Sequence, residues 1–188
     1  MTLPMARNLV IDACCMLNLL ATRREIEIAS ALSLQLLDTT QTCKEPLTLW
    51  TPPDADGQRS KEATSTEGLR RAGHLVTRPF DTEALIDAYV DAAARIKDTD
   101  ASCIALAGVL KLPLLTDDRK ERRVARDLFP AIDLVSTLDI LADAGGVLAW
   151  SEAELRRVAS DLRWRGNFAP PRQDPRSAWY ERLLTDPT

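Results

Sequence analysis

Short apolar runs recur along the chain, and most of them are separated by stretches of helical periodicity. Residues 8–12 and 32–40 are apolar runs of the length typical of buried strands, and 112–116 and 131–136 are shorter runs of the same kind. Residues 75–80 have the pattern of a segment at the edge of a sheet. The sequence therefore predicts about five strands.

Helical periodicity fills the intervals between the apolar runs. The clearest helix covers residues 81–96, where Asp81 or Thr82 can cap the first turn and apolar residues recur at helical spacing. The other predicted helices cover residues 13–23, 24–31, 101–110, 117–129, 137–146 and 151–166. Strands that alternate with helices are typical of a parallel sheet with helices on both faces. We therefore expect an α/β fold with three layers, α/β/α, around a central parallel sheet of about five strands.

Length and composition fit one domain with a polar insertion and a tail. The 188 residues are 45% hydrophobic and 28% charged, which is the balance of an ordinary globular protein. We expect a single domain at 1–165, with an exposed loop at about 46–80 that is rich in Pro, Gly, Ser and charge. Residues 166–188 form a Pro-rich tail, which we expect to pack on the domain or on a partner.

Two features argue against a membrane protein and against a disulfide scaffold. No apolar run approaches the roughly 18–20 residues that span a bilayer, and Asp12 interrupts the apolar N-terminal stretch too early for a signal peptide. The four cysteines show neither C-x-x-C nor zinc-ligand spacing, so we expect reduced, buried thiols. The predicted location is the cytoplasm.

Charge is distributed unevenly along the chain. The net charge of −4 gives no overall electrostatic preference for nucleic acid. The segment 119–126, however, holds five basic residues against one acid, Glu121. Such a run is either a solvated helix face or a surface for phosphate groups, and its position next to an acidic pair makes the second interpretation relevant.

Acidic residues stand at the ends of the predicted strands and the starts of the predicted helices. Asp12 ends the first strand, Asp100 opens the helix at 101–110, and Asp117 and Asp118 follow the strand at 112–116. Each could be a helix N-cap. In an open α/β sheet, however, ligands bind at the carboxyl ends of the strands, and clustered carboxylates repel one another unless a cation neutralises them. Carboxylate oxygens are ligands that suit Mg²⁺ or Mn²⁺.

Three of these segments, taken in order, resemble the main signatures of PIN-domain (VapC-like) nucleases. They are N-L-V-I-D-A with Asp12, D-A-S-C-I-A-L-A from Asp100, and L-P-L-L-T-D-D through Asp118. The continuation L-V-S-T-L-D-I-L-A-D-A-G-G resembles the strand and helix that close that domain, so the likeness covers most of residues 8–150. The resemblance implies a PIN-like sheet and a pocket of three or four acids that holds one or two Mg²⁺ or Mn²⁺ ions.

The resemblance also implies a set of site residues. The implied catalytic acids are Asp12, Glu45, Asp100 and Asp117, and the implied metal ligands are Asp12, Asp100 and Asp117, with Asp118 as the second choice for the last position. Glu45 matches the family's second acid by position, and Glu62 and Glu67 are alternatives to it. The implied contacts to RNA phosphates are Arg119, Lys120, Arg122 and Arg123.

The function implied by this resemblance is metal-dependent hydrolysis of RNA phosphodiester bonds. Small PIN proteins are often toxins, so the resemblance also implies an antitoxin protein as partner and a homodimer. Because this chain is larger than the usual toxin, a housekeeping or orphan nuclease is the alternative role. The alternative is a catalytically degenerate PIN-like module that binds RNA or protein. A haloacid-dehalogenase phosphatase would need an acid at Cys14, and a lone histidine, His74, without an evident partner argues against Ser-His-Asp chemistry.

Overall fold

The computed structural model describes residues 7–185, in which strands and helices alternate. The strands are β1 (Arg7–Ile11), β2 (Leu34–Thr39), β3 (Thr48–Trp50), β4 (Lys61–Ala63), β5 (Leu75–Arg78), β6 (Leu114–Leu115) and β7 (Leu134–Val135). The α-helices are α1 (Ala13–Ala21), α2 (Glu25–Ala31), α3 (Glu67–Arg71), α4 (Glu83–Ala93), α5 (Asp98–Leu110), α6 (Arg119–Leu128), α7 (Thr137–Val147), α8 (Glu152–Arg165) and α9 (Ser177–Leu184). Within residues 7–185, no helix is long and apolar enough to cross a membrane.

The five strands of the main sheet are all parallel and follow the order β5-β2-β1-β6-β7. Strand β1 is central, with Ile11 level with Leu115 of β6, and Leu115 level with Val135 of β7. Helices cover both faces, so the predicted fold class, an α/β protein with a central five-stranded parallel sheet between two helical layers, is confirmed.

Burial on both sides of the sheet follows from the alternation of side chains along each strand. Leu9 and Ile11 point into a core that includes side chains of α1, α2, α7 and α8. Val10, between them, points to the opposite core with Leu114 and side chains of α4, α5 and α6. These four strand residues are fully buried, which explains why the strands read as continuous apolar runs rather than as alternating patterns.

The segment expected as an exposed loop at 46–80 is more ordered than predicted. Strands β3 and β4 form an antiparallel hairpin, α3 follows it, and β5 joins the edge of the main sheet as expected for residues 75–80. Leu49, Leu69 and Leu75 anchor this segment because each is buried in the core beneath it. Widely spaced single leucines in a polar stretch give no periodic signal, so the prediction of a loop was wrong for the hairpin of β3 and β4.

The predicted helix starts are mostly confirmed by their caps. The side chains of Asp12, Thr82 and Asp118 each accept a hydrogen bond from a backbone N–H in the first turn of α1, α4 and α6, respectively. Asp100 was expected immediately before its helix, and this expectation is wrong. Helix α5 begins at Asp98 with Lys97 as its N-cap residue, so Asp100 lies inside the first turn.

The tail folds back on the domain. Tyr180 of α9 is fully buried, packs edge-to-face on Phe168 at 5.5 Å between ring centroids, and donates from its hydroxyl to the carbonyl oxygen of Ala159 at 3.2 Å. Before α9, the guanidinium of Arg176 donates to the carboxylate of Asp139 on α7 at 2.8 Å. The segment around 171–175 is thereby held beside the start of α7 and next to α6.

Candidate active site

The site lies at the carboxyl edge of the sheet, where the strand order reverses direction. From β1 the chain proceeds to β2 on one side, and later returns to β6 on the other side. This arrangement opens a crevice at the ends of β1 and β6, which is where α/β sheets bind their ligands. Asp12 follows β1, while Thr116, Asp117 and Asp118 follow β6.

Asp12 is an acid that the fold buries deeply. Its side chain is 3% exposed, and one carboxylate oxygen accepts a hydrogen bond from the backbone N–H of Cys15 at 2.5 Å. Burial raises the pKa of Asp12 from 3.8 to about 6, against the hydrogen bonds from Cys15 and Thr116, and the charge of Asp117 adds to the rise. The helix cap therefore does not fully compensate for the lost hydration of this carboxylate.

Glu121 is the second buried acid of the site. It is 0% exposed, although it belongs to the most basic helix of the chain, and its Oε2 accepts a hydrogen bond from the hydroxyl of Thr116 at 2.6 Å. Burial, and then the charge of Asp12, raise the pKa of Glu121 well above 4.5. The carboxyl groups of Asp12 and Glu121 are hydrogen-bonding neighbours when one is protonated, and with both ionised the Oε1 atom of Glu121 is buried without a partner.

Asp117, the first acid after β6, accepts four hydrogen bonds. Its Oδ1 accepts from the backbone N–H of Thr137 at 3.0 Å. Its Oδ2 accepts from the hydroxyl of Thr137 at 2.5 Å and from the amide of Asn18 at 3.1 Å. The thiol of Cys15 donates to the same oxygen at 3.3 Å. This carboxylate therefore ties the end of β6 to α1 and α7, and few of its lone pairs are left for another ligand.

Asp118, Asp100 and Glu45 form the outer part of the acidic group. Asp118 is exposed, and its Oδ1 caps α6 by accepting from the N–H of Glu121 at 2.8 Å. Burial raises the pKa of half-buried Asp100, and the charges of Asp118 and Glu45 raise it further, while Lys97 opposes them. The fold thus brings Asp118 and Glu45 near enough to Asp100 for their charges to act on it.

The two alternatives to Glu45 are engaged elsewhere. Glu62 on β4 forms an ion pair with Arg165 of α8 at 3.3 Å, and Glu67 pairs with Arg71 one turn along α3 at 3.5 Å. Glu45, by contrast, lies near enough to Asp100 for its charge to act there. Among the three glutamates considered, the geometry favours Glu45.

A buried network of hydroxyl groups fixes the turn that carries Glu45. The hydroxyl of Thr39, at the end of β2, lies 2.7 Å from that of Ser102 on α5 and 2.9 Å from that of Thr42. The hydroxyl of Thr42 also lies 3.3 Å from the thiol of Cys103. These contacts join β2, the 3₁₀ turn Thr42–Lys44 and α5, so the positions of Glu45 and Asp100 are coupled through the core.

The cysteines differ from the expectation that all four would be buried. Cys15 and Cys103 are buried, whereas Cys14 and Cys43 are exposed, and all four are free. Desolvation of the thiol and the charges of Asp12 and Asp100 raise the pKa of Cys14 to about 12. Cys14 therefore stays a protonated thiol at neutral pH, which argues against a thiolate nucleophile at this site.

A cleft of about 980 Å³ lies beside the basic face of α6, and of the site acids Asp117 and Asp118 line it. The four exposed bases of this face are Arg119, Lys120, Arg123 and Arg126. The opposite wall is the tail segment that includes Gln173. Arg122 is different, because its guanidinium donates to the carbonyl oxygens of Thr116 at 2.7 Å and Val135 at 3.2 Å. Arg122 therefore holds the strand ends of β6 and β7 together.

The site suits a divalent cation in the chemistry of its side chains but not in their spacing. Among residues 7–185, no three acidic, histidine or cysteine side chains converge closely enough to form a ready coordination shell. The donor chemistry does fit, because the buried Oε1 of Glu121 has no partner and the Glu121 side chain neighbours a second buried carboxyl group, that of Asp12. A hard cation such as Mg²⁺ or Mn²⁺ is the ligand that carboxylate oxygens of this kind select.

Sequence reasoning missed Glu121 as a site residue because it stands among five bases. A signal was nevertheless present. Glu121, Val124 and Ala125 recur at the i, i+3, i+4 spacing of a buried helix face, and all three are buried. An acid on the apolar face of an otherwise basic helix is the pattern that identifies it.

Known proteins provide no identification. No family model, curated protein or solved structure matches this chain. The resemblance to PIN-domain nucleases therefore stays a prediction.

Proposed function

We propose that this protein is a cytoplasmic endoribonuclease that depends on Mg²⁺ or Mn²⁺ and hydrolyses phosphodiester bonds of RNA. The observation that carries the proposal is the gathering of acids at the crevice between β1 and β6, beside a cleft with four exposed bases. In metal-dependent cleavage of RNA, acids hold the cation and bases contact the phosphates of the substrate. The resemblance to PIN-domain nucleases, which rests on the same acids and their order in the chain, supports the same conclusion.

The acids divide into proposed ligands of the cation and one residue, Asp117, that positions the surrounding strand and helix ends. Asp12, Asp100 and Asp118 are the proposed cation ligands, with Glu45 completing the group. Asp117 was our first choice as a ligand after β6. Its hydrogen bonds to Thr137, Asn18 and Cys15 now favour a positioning role for it, and favour Asp118 as the ligand. When bound, a divalent cation supplies Lewis-acid chemistry, since it acidifies water and offsets the negative charge of the phosphoryl group.

The bases of α6 are the proposed contacts to the RNA backbone. Arg119, Lys120, Arg123 and Arg126 are exposed along the cleft and free to reach successive phosphates. Arg122 is not among the proposed RNA contacts, although the sequence predicted it as one. Its guanidinium already donates hydrogen bonds to the carbonyl oxygens at the ends of β6 and β7. Such contacts position the RNA without reading its sequence.

A second candidate function is RNA binding without cleavage. The observation that favours it is the lack of a converging set of three ligands in residues 7–185. The basic cleft would serve this function unchanged. Metal-dependent cleavage separates the two candidates.

The deciding experiment is cleavage of a panel of fluorescently labelled single-stranded RNAs by the full chain, with Mn²⁺, with Mg²⁺ and with EDTA. The test variant is the double substitution Asp12→Asn and Asp100→Asn, which removes one buried and one half-buried acid while preserving side-chain size. The matched control is Asp87→Asn, which removes an exposed acid on α4. We expect metal-dependent cleavage by the wild type and by the control, and no cleavage by the double variant.

The opposite outcomes are equally informative. RNA binding that survives in EDTA without any cleavage in Mn²⁺ would support the binding module. Cleavage that persists in the double variant would mean that the acids after β1 and in α5 are not the active site.

The biological role proposed with this activity is that of a toxin held inactive by an antitoxin protein, and the proposed assembly is a homodimer. Both proposals are supported by the resemblance alone. Co-purification with the product of a neighbouring gene, and light scattering of the pure chain, test them separately.

A further inference from the structure

Helix α6 contributes an acid to the site that the PIN-like pattern does not include. Glu121 is 0% exposed and comes one turn after the cap residue Asp118. Burial of a carboxyl group without full compensation is costly, so a side chain of this kind needs a specific reason in the fold. Its neighbours show what that reason is.

One half of the Glu121 carboxyl group is held by the protein and the other half is not. The hydroxyl of Thr116 donates to Oε2 at 2.6 Å, and the same threonine oxygen accepts from the N–H of Asp118 at 3.1 Å. No hydrogen-bond donor within residues 7–185 reaches Oε1, which is buried. Thr116 thereby fixes the orientation of the carboxyl group and leaves Oε1 available.

The Glu121 side chain neighbours Asp12, the most deeply buried aspartate of the site. The carboxyl groups of Asp12 and Glu121 lie within hydrogen-bonding distance of each other. Asp12 uses one of its oxygens to cap α1, through the N–H of Cys15. Two adjacent buried carboxylates repel each other unless a shared proton or a cation joins them, and a cation would use the oxygen that Thr116 leaves without a donor.

We propose that Glu121 is a direct ligand of the divalent cation, bridging it with Asp12 at the inner side of the acidic group. This inference rests on the proposed function, since it concerns the same cation. It adds a ligand supplied by the helix whose outer face carries the RNA-binding bases. A single helix would then connect the inner ligand of the cation to the phosphate contacts of the substrate.

The test measures Mn²⁺ binding by titration calorimetry rather than activity. Glu121→Gln keeps the size of the side chain and an oxygen that can accept from Thr116, so its folding is checked by thermal unfolding in EDTA. The matched control is Asp91→Asn, which removes one exposed acid from α4. We expect binding at least tenfold weaker in Glu121→Gln and unchanged in the control.

The outcomes separate this inference from the proposed function. Unchanged Mn²⁺ affinity in Glu121→Gln, together with lost affinity in Asp12→Asn, would overturn the role of Glu121 and keep the metal site. No Mn²⁺ binding by the wild type would overturn both.

If Glu121→Gln does not fold, the wild-type protein still decides the matter. Crystals soaked in Mn²⁺ locate the ion by anomalous scattering, and we expect Oε1 of Glu121 at about 2.1 Å from it. An ion held by other acids, with the Glu121 carboxyl group paired to Asp12 and not to the ion, would refute the inference.

Discussion

Replacing Asp12 with asparagine is expected to stabilise the metal-free protein at neutral pH. Burial raises the pKa of Asp12 from 3.8 to about 6, so the folded state holds its proton more tightly than the unfolded state. Between these two values the folded state binds more protons, and the free energy of unfolding therefore falls as the pH rises. The loss is complete above about pH 6 and amounts to about 3 kcal/mol, at about 1.4 kcal/mol for each pKa unit.

Asparagine avoids this cost while keeping the local structure. Its side-chain oxygen can still accept the hydrogen bond from the N–H of Cys15, and asparagine is as good an N-cap as aspartate. We expect Asp12→Asn to raise the free energy of unfolding by about 1–3 kcal/mol at pH 7.5 in EDTA. At pH 4 the advantage should shrink towards zero, because the aspartate is then protonated in the folded state.

The assay is urea denaturation of both proteins at pH 4 and pH 7.5, each with EDTA and with Mn²⁺. Mn²⁺ at 1,000 times its dissociation constant should reverse the order at pH 7.5, because ligand at that concentration stabilises the wild type by about 4.1 kcal/mol. A variant that is less stable than the wild type at pH 7.5 in EDTA would refute the reasoning. It would show that the carboxylate of Asp12 is stabilised by its surroundings rather than strained by them.

Two further predictions concern α6 and its contact with α5. Arg122→Gln should lower the free energy of unfolding by about 1–3 kcal/mol, because it leaves carbonyl oxygens at the ends of β6 and β7 without their donor. Arg123→Gln should leave the free energy of unfolding unchanged and reduce RNA affinity and its salt dependence. Denaturation and filter binding at two salt concentrations distinguish the two variants, and equal effects of both on RNA binding would contradict the separate roles given to Arg122 and Arg123. Gly108→Ala should destabilise the fold by about 1–3 kcal/mol, because the new methyl group would lie within 3.0 Å of ring atoms of Phe129. This clash outweighs the preference of helices for alanine over glycine, which is worth about 1 kcal/mol. A rise in melting temperature would show that the ring of Phe129 moves aside at little cost.

The sequence predicted the strand and helix order because each strand is a buried apolar run next to a capped helix. The run ending at Asp12 and the helix capped by Thr82 are examples, and both formed as expected. The hairpin of β3 and β4 was missed because its strands are three residues long and β4 is wholly exposed. A strand without a buried face has no pattern to detect.

The acids were predicted as a group, but their individual environments were not. Position after a strand places Asp117 and Asp118 equally well at the site. Only the structure shows that Thr137, 20 residues further along, occupies the carboxylate of Asp117. Glu121 was hidden for a related reason, since its burial depends on how α6 lies against the ends of β1 and β6. Contacts between distant segments decide which carboxylate is free, and a local pattern cannot report them.

The distance along the chain between the parts of this site has a consequence for synthesis. The thiol of Cys15 meets Asp117 across 102 residues, and Thr137 meets Cys15 across 122. A ribosome adding about 5–20 residues per second needs roughly 6–25 seconds to make that interval. During this time Asp12 has no partners from β6 or α6, so neither the acidic group nor the basic cleft exists. The site of the proposed ribonuclease is therefore incomplete on the nascent chain until β6 and α6 have been made.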